Sequence, residues 1–352
     1  MSSPKSDPWC SGVIPPYLLD RLARHPSARV RERAMATLRI EQQERSLRGL
    51  QGAAIAKARL PATPALPPGQ INRAVHNAAN DTALPGQLVR AEGQPASGDA
   101  AVDEAYDHLG ATYDLFWQVY RRHSIDNAGL PLVGTVHYGQ DYDNAFWNGA
   151  QMVFGDGDGE VFNRFTLAVD VVGHELSHGV IDHEAALRYQ GQSGALNESL
   201  CDVFGSLVKQ HRAGQTAEQA DWLVGAGLFT AAVNAKALRS MAQPGSAYDD
   251  PALGKDPQPD HMQRYVETSD DNGGVHINSG IPNRAFYLAA TALGGPAWER
   301  AGRVWYDTLR DRRLGANADF AGFAALTIEA AGADAATQRA VREAWRQVGV
   351  LP

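Results

Sequence analysis

The sequence contains very little cysteine: Cys10 and Cys201 are the only two among 352 residues. Two cysteines cannot build a disulfide framework, which indicates a reducing compartment or a fold that needs no disulfides. Glycine and proline, at 35 and 19 residues, are too few for a low-complexity chain. With 44% hydrophobic and 20% charged residues, the chain can bury a large core, and its length predicts about two domains.

Two further absences limit the location and the partners. The sequence has no run of 18 apolar residues, so we expect no membrane-spanning helix. Its start lacks the apolar stretch of a Sec signal, which predicts synthesis in the cytoplasm and leaves release by a leaderless route open. The formal net charge of −8 argues against phosphate attraction to nucleic acid. We expect a monomer that binds neither membranes nor nucleic acid.

Positive charge is concentrated near the N-terminus. Eight arginines and four acidic residues lie between Asp20 and Arg48, a balance of +4, so the rest of the chain carries −12. Hydrophobic spacing predicts a helix from Ser27 to Gly49, followed by an exposed Pro-rich linker over 59–69. The basic helix either docks on the acidic body or is a solvated tail, and the sequence leaves both open.

The remaining sequence predicts a mixed α/β region followed by a mainly helical one. A helix is expected over 103–124, with short strands over 132–139 and 150–159. Beyond these, helical patterns dominate, and helices are expected over 170–187, 194–210, 217–234, 279–294, 297–310, 317–330 and 334–346.

The sharpest chemical signal is the segment from His174 to His178, with the sequence His-Glu-Leu-Ser-His. Residues four apart project from one face of a helix, so the two imidazoles can share one Zn²⁺ ion. Glu175 lies about 100° around the helix, where it is placed to accept a proton from a water at the metal. Taken alone, the pattern also fits an amphipathic helix with two surface histidines.

Two later segments supply what such a site still lacks. Glu198 and Asp202 are four residues apart in a helical pattern, so Glu198 can be a third ligand while Asp202 accepts an imidazole N–H. In a Gly-rich segment, Asp271 can orient His276, whose protonated ring can stabilise an oxyanion. Taken separately, Glu198 and Asp202 could also be solvated surface carboxylates, and His276 could be an incidental histidine in a turn. Together they favour a catalytic zinc site over a structural one.

These segments, with YDNAFWNGAQMVFGDGDG and ALRSMAQPG, resemble the thermolysin-like zinc metallopeptidases over nearly the whole chain after the linker. The resemblance implies an α+β fold in which a β-rich N-terminal domain and a helical C-terminal domain flank a cleft crossed by the metal-binding helix. It implies a zinc endopeptidase that binds one Zn²⁺ and acts on proteins or peptides. The alternative is a zinc-dependent binding or adhesion module that kept the fold and lost turnover. The complete set of catalytic side chains favours the enzyme, because a non-catalytic descendant would not need them.

The resemblance also implies roles for individual residues. The expected zinc ligands are His174, His178 and Glu198, and the expected general base is Glu175. Tyr189 and His276 are expected to stabilise the oxyanion, and Asp271 is expected to support His276. The expected substrate contacts are Asn144, Ala145 and Trp147 at the cleft edge, Arg239 at a carbonyl, and the pocket residues Phe162, Phe165, Val171 and Leu238. Because that pocket is apolar, we expect cleavage on the N-terminal side of bulky apolar residues.

Two positions depart from the family pattern. Lys209 stands where an acidic calcium ligand is expected, while Asp170 and Asp221 remain. A lysine removes an oxygen donor and adds a repelling charge, so we expect Lys209 to bridge the two aspartates and the paired calcium site to be lost. Cys201 replaces the usual serine and is expected to be a small buried thiol.

The N-terminal region resembles the short propeptide of the protealysin subgroup, through Cys10 and the stretch IPPYLL at 14–19. The resemblance implies a propeptide that lies in the cleft and keeps the enzyme latent, with inhibitory residues Cys10, Pro15, Pro16 and Tyr17. Cys10 either approaches the zinc as a thiolate or is a buried apolar contact. The expected division is propeptide 1–55, linker and activation region 56–70, N-terminal α/β catalytic domain 71–200 and C-terminal helical domain 201–352.

Overall fold

The computed structural model describes the backbone of residues 12–58 and 66–352, and the side chains of residues 12–43 and 66–352. Two helices come first, α1 (Pro16–Leu22) and α2 (Ala28–Ala58). The predicted end of the second helix at Gly49 was wrong, since α2 continues to Ala58. One glycine inside a helix costs only about 1 kcal/mol relative to alanine, which does not end a helix whose following residues are good helix formers.

A five-stranded mixed sheet organises the N-terminal half. Its strands are β1 (Arg73–Asn77), β2 (Gln87–Ala91), β3 (Leu132–Val136), β4 (Ala145–Trp147) and β5 (Met152–Phe154). The strand order is β2-β1-β3-β5-β4, with β1 and β5 parallel to β3 and the two edge strands antiparallel to their neighbours. The two strands predicted from sequence are present but shorter. Because β4 is an edge strand, one side of it can pair with an extended peptide.

The helix α3 (Ala100–Tyr120) contacts this sheet and begins three residues earlier than the predicted range. Asp99 accepts hydrogen bonds from the N–H groups of Ala101 and Val102, which caps the first turn. The helix ends at Arg121, whose φ of 57° is left-handed. Its buried face includes Leu109 and Phe116, which belong to the main hydrophobic core.

The segment from His174 to His178 lies on α4 (Val169–Glu184), which packs against α5 (Gly191–Ala213). A Cβ atom at Gly205 would lie 2.3 Å from the Asp170 carbonyl oxygen, so glycine is required where the two helices approach. This close approach brings the polar faces of α4 and α5 together. The expected domain boundary between residues 200 and 201 falls inside α5, which continues across it without a break.

The predicted helix over 217–234 was wrong. In its place the chain makes turns and a short strand β6 (Leu223–Val224), which pairs antiparallel with β7 (Arg239–Ser240). Gly225 and Gly227 have φ values of 71° and 87°, which a helix cannot accommodate. The apolar residues of this segment are buried by turns rather than by a helix face, so their spacing was misleading. The β6–β7 pairing fixes the position of Arg239.

The C-terminal half contains two more short strands, β8 (Asp249–Asp250) and β9 (Gly254–Lys255), and five further helices. The helices are α6 (Asp271–Asn278), α7 (Gly280–Leu293), α8 (Ala301–Leu309), α9 (Phe320–Ala330) and α10 (Ala335–Gln347). The α+β organisation expected from the sequence, with a mixed sheet first and helices after it, is confirmed. None of the helices in the described parts of the chain has the length and apolar character needed to cross a membrane.

Candidate functional site

Helices α4 and α5 bring His174, His178 and Glu198 together in the interior, where each is at most 1% exposed. His174 Nε2 lies 3.4 Å from Glu198 Oε2, and His178 Nε2 lies 3.6 Å from Glu198 Oε1. Two ligand atoms about 2.1 Å from one ion at the tetrahedral angle would be about 3.4 Å apart. The two distances, each to one oxygen of Glu198, are close to the separation expected of ligands of one tetrahedral metal ion.

Two of these ligand atoms need a partner that the described residues do not supply. His174 Nε2 and Glu198 Oε2 are buried and accept no hydrogen bond from any described residue. Buried polar atoms in native proteins are nearly always satisfied, so a metal ion accounts for both. Two imidazoles, one carboxylate and an open fourth position form the donor set of catalytic rather than structural zinc.

Cys201 offers a competing donor, since its sulfur lies within 4.8 Å of ligand atoms of both histidines. Cys201 Sγ, however, lies 3.1 Å from His178 Nδ1, whereas Nε2 of the same ring faces Glu198. One ion cannot bind both edges of an imidazole, so the thiol and Glu198 belong to different sides of the ring. The thiol is fully buried, as the sequence predicted.

Each histidine is oriented through its other nitrogen. His174 Nδ1 lies 2.8 Å from Asp202 Oδ1, and His178 Nδ1 lies 2.8 Å from Asn197 Oδ1. The predicted contact of Asp202 with a histidine is therefore present. Burial opposes ionisation of Asp202, but Arg239 and His174 lower its pKa to about 2. Such partners fix the ring orientation and the nitrogen that faces a metal.

Glu175 is fully buried beside the two histidines. Its Oε2 accepts a hydrogen bond of 3.0 Å from the N–H of Trp147 on β4, and its Oε1 has no hydrogen-bond partner among the described residues. Burial raises the pKa of Glu175 to about 8. One oxygen is thus held by the cleft strand while the other is available to a proton.

Tyr189 and His276 also lie next to Glu198. The Tyr189 hydroxyl donates to Glu198 Oε1 and lies 3.2 Å from His276 Nε2. Asp271 Oδ1 lies 2.6 Å from His276 Nδ1, and Asp271 Oδ2 accepts the backbone N–H of His276 at 2.9 Å. His276 lies inside α6, two residues after a stretch with left-handed φ, 272–274.

The N-terminal segment lies along the cleft edge at β4. The N–H of Val13 donates to the Ala145 carbonyl at 3.1 Å, and the N–H of Ile14 donates to Asn144 Oδ1 at 2.9 Å. Arg239 Nη1 donates to the Val13 carbonyl at 3.3 Å. Three of the residues expected to hold a substrate backbone therefore hold a peptide backbone of the same chain.

Gly12 fits this contact because it has no side chain. A Cβ atom at residue 12 would lie 2.4 Å from the Ala145 carbonyl oxygen and 2.7 Å from Asn144 Oδ1. Both atoms belong to the cleft edge, and the carbonyl cannot rotate away without breaking its bond to Val13. Any larger residue at this position would separate the segment from β4.

Of the predicted inhibitory residues, Pro15, Pro16 and Tyr17 are described, and none of them makes the backbone contacts with β4 and Arg239. Pro15 precedes α1 and Pro16 is its first residue, where proline suits a helix start. Tyr17 is partly buried against the core, and burial raises its pKa. Cys10 lies outside the described residues. Among the described N-terminal residues, the cleft contact is thus made by 12–14, and the Pro-Pro pair redirects the chain into α1.

The predicted apolar pocket residues are all buried, and Phe162, Phe165, Val171 and Leu238 belong to the main core together with Val13 and Ile14. The rings of Phe162 and Phe165 are 5.7 Å apart between centroids, and Phe162 is 5.2 Å from Phe229. Phe229 was missed by the sequence analysis, because it lies in the segment wrongly predicted as a helix.

Lys209 makes the two ion pairs that the sequence predicted. Its Nζ lies 2.8 Å from Asp221 Oδ1 and 3.3 Å from Asp170 Oδ2, and it also donates to the Leu223 carbonyl at 3.0 Å. Asp170 is 2% exposed, so the ammonium compensates a carboxylate that would otherwise be buried alone.

Two functional residues beyond the predicted set also lie in the site. Asn197 contacts His178, and Asn283 Nδ2 donates to Asp202 Oδ2 at 2.8 Å. Asn197 directly precedes Glu198, so its nearness to the site was readable from the helix. Asn283 is on α7, and nothing in its sequence surroundings distinguishes it from a surface residue.

Two family models match the chain. Residues 69–182 match the catalytic domain of thermolysin metallopeptidases, and residues 185–350 match their alpha-helical domain. An extracellular metalloprotease of Pectobacterium carotovorum subsp. carotovorum is 57% identical over 98% of each chain. Protease PrtS of a Photorhabdus strain is 48% identical, over 96% of this chain and 92% of its own.

A solved structure is also similar, that of the precursor of protealysin, a metalloproteinase from Serratia proteamaculans. It superposes with a TM-score of 0.89 at 56% identity, over 97% of this chain and all of its own. The similarity therefore includes the N-terminal residues as well as the two regions that the family models cover.

The contact between Asp202 and His174 predicts a measurable effect on metal binding. Asp202→Asn is expected to weaken zinc binding about 10- to 100-fold, because the ring loses an ionised partner. Competition with a chromogenic chelator on the full chain measures this, with circular dichroism to confirm folding. Asp107→Asn, which removes an exposed carboxylate on α3, is the control. Equal affinity in all three proteins would contradict the role of Asp202.

Proposed function

Because the chain belongs to the thermolysin family of metallopeptidases and is a metalloendopeptidase, we propose that it is a latent zinc enzyme that cuts before bulky apolar residues. The observation that carries this proposal is the convergence of His174, His178 and Glu198 with Glu175 beside the strand that holds Val13 and Ile14. Metal ligands, a carboxylate and a peptide-binding edge strand are thus next to one another.

A Zn²⁺ ion held by His174, His178 and Glu198 would supply Lewis-acid polarisation of a water and of the scissile carbonyl. Glu175 then accepts the proton of the attacking water on Oε1, the oxygen that has no hydrogen-bond partner among the described residues. Its other oxygen stays bonded to the Trp147 N–H, so the carboxylate keeps its orientation during the transfer. The same carboxylic acid delivers the proton to the leaving amine.

His276 and Tyr189 are proposed to donate hydrogen bonds to the oxyanion. Asp271 accepts from His276 Nδ1, which favours the charged ring and leaves Nε2–H aimed at the site. The Tyr189 hydroxyl is 3.2 Å from that nitrogen, so both donors can reach one oxygen. Donors fixed in advance need little rearrangement when the negative charge develops.

Substrate is proposed to replace the N-terminal segment on β4. Asn144, Ala145 and Arg239 would hold its backbone as they hold Val13 and Ile14. The apolar residue after the cut would enter the space bordered by Phe162, Phe165, Val171 and Leu238, the pocket that the sequence predicts. While residues 12–14 remain on the strand, a substrate cannot pair with it, which accounts for latency.

Activation then requires removal of the N-terminal segment. We propose that residues 1–55 form the propeptide and that the cut lies within 56–70, ahead of an enzyme that comprises the domains 71–200 and 201–352. A relative bears the name extracellular metalloprotease. By analogy, we propose that the processed enzyme acts outside the cell.

Lys209 is proposed to replace the paired calcium ions. Its ammonium group already bridges Asp170 and Asp221, so a divalent cation would have to displace it. Calcium at millimolar concentration is therefore expected to leave the unfolding temperature of the Glu175→Ala chain unchanged, whereas Lys209→Met lowers it. A calcium-dependent rise in the unfolding temperature of the chain with Lys209 intact would refute this proposal.

Replacement of Glu175 by Gln tests the proposed function. It should lower kcat/KM on a peptide with Leu after the cut by about 100- to 10,000-fold, because the proton carrier is lost. Zinc content should stay at one ion per chain. Glu343→Gln, an exposed change on α10, should behave as the wild type. Full activity of the Glu175→Gln enzyme, or preference for a charged residue after the cut, would overturn the proposal.

A further inference from the structure

Arg33 on α2 is held at the edge of the cleft by two acceptors from different segments. Its Nη2 lies 2.7 Å from Asp141 Oδ2, and its Nη1 donates to the Asp158 carbonyl oxygen at 2.6 Å. The arginine side chain is only 19% exposed. Two nitrogens of one planar group reach two acceptors at once, which a lysine ammonium does not reproduce.

The acceptors are fixed independently of Arg33. Asp158 Oδ1 accepts the backbone N–H groups of Glu160, Val161 and Phe162, so the loop that presents the Asp158 carbonyl is held in place by its own carboxylate. Asp158 is 5% exposed. A contact built on such a rigid loop keeps its geometry when its occupant changes.

Asp143 adds acidic character directly beneath this contact. Its side chain is 1% exposed, and Oδ1 has no hydrogen-bond partner among the described residues. Burial and the neighbouring Asp158 raise the pKa of Asp143, whereas Arg33 opposes the rise. The backbone N–H of Asp143 donates to Thr37 Oγ1 at 3.1 Å, which places the carboxyl group under α2. A nearby cation such as Arg33 favours the ionised form of this buried carboxyl group.

Asp141, Asp143, Glu160 and the Asp158 carbonyl form an acidic rim at the cleft edge, and among the described residues the cations paired with this rim come from α2. Arg29 Nη1 lies 2.8 Å from Glu160 Oε1, and Arg33 contacts Asp141. In the described part of the chain, Asp141 and Glu160 form no other ion pairs, and Asp143 forms none. When the N-terminal segment leaves, two acidic side chains at the cleft edge, Asp141 and Glu160, therefore lose their positive partners together, on a body that is already strongly acidic.

This rim continues the strand that holds the peptide backbone. Asn144 and Ala145 contact Ile14 and Val13 in that order, so the segment runs antiparallel to β4. A chain that continued in the same direction would advance about 3.3 Å per residue and pass Asp143 and then Asp141. The N-terminal segment turns away at Pro15 into α1. An extended substrate without this turn would carry its side chains over the rim.

We propose that Asp141 and the Asp158 carbonyl, with Asp143 and Glu160 beside them, form a guanidinium subsite that selects arginine in substrates of the processed enzyme. Arg33 fills this subsite in the precursor. The inference rests on the proposed function, since only a peptidase has a use for a substrate subsite. The subsite would add a preference for a charged residue, a few residues from the scissile bond, to the preference for an apolar residue directly after that bond.

Paired peptides test the subsite. Each pair has Leu after the scissile bond and either arginine or citrulline, its uncharged isostere, at one position from two to five residues away on either side. The full chain is first processed, and intact-mass measurements verify that the N-terminal segment has been removed. At one position we expect kcat/KM to favour arginine about three- to tenfold, the effect of one partly exposed, charge-assisted contact. Added salt should reduce this ratio.

Variants locate the effect. Asp141→Asn should bring the arginine-to-citrulline ratio close to one, whereas Asp107→Asn, on α3, should keep the wild-type ratio. A ratio of one for the wild type at every position would overturn the subsite and leave the peptidase intact. A ratio that survives in Asp141→Asn would also overturn it. Failure of the processed chain to cut either peptide would overturn the proposed function and the subsite together.

Discussion

The rest of the site depends on the hydrogen bonds that the carboxylate of Asp202 accepts. It is fully buried and accepts hydrogen bonds from three side chains, His174, Arg239 and Asn283. These come from α4, β7 and α7, so one residue of α5 joins four elements. An isolated buried carboxylate would be very costly, and this one is stabilised because Arg239 pairs with both of its oxygens. Its other contacts then orient a metal ligand on one side and a peptide-binding arginine on the other.

The same arrangement connects the proposed metal centre with the proposed latency. Arg239 binds Asp202 through Nε and Nη2 and reaches the Val13 carbonyl through Nη1. The N-terminal segment is thus held by a residue whose position is fixed by the carboxylate that orients His174. Glu175 shows a similar connection on the other side, since it bonds to the N–H of Trp147 on the strand that also holds Val13. A peptide on β4 therefore lies beside both the proposed metal ligands and Glu175, the proposed proton carrier.

The sequence predicted the parts of this site that depend on local geometry. His174 and His178 share a helix face because they are four residues apart, and the same holds for Glu198 and Asp202. The ion pairs of Lys209 were predicted because the lysine replaces an acid between two remaining aspartates. The family resemblance added Asn144, Ala145 and Arg239, which periodicity could not reveal. Asn283 was out of reach because its role depends on how α7 packs against α5.

The errors have equally physical causes. Apolar residues over 217–234 have nearly helical spacing, but Gly225 and Gly227 require turns, and the segment instead contributes β6 and Phe229. The Pro-Pro pair drew attention to residues 15–17, whereas the contact with β4 is made by residues 12–14. Gly12 carries no signal of its own, because its importance depends on a carbonyl more than 130 positions away.

The central claim is that residues 12–14 keep the enzyme latent by occupying β4. The most direct test is the initial rate of peptide hydrolysis by the zinc-loaded full chain while intact mass shows the N-terminal segment still attached. Gly12→Ala should raise this rate roughly tenfold, since its Cβ would collide with Ala145 and such overpacking costs about 1–3 kcal/mol. Gly315→Ala, whose Cβ would meet no atom within 4 Å, should match the wild type. Equal initial rates for all three chains would contradict the account.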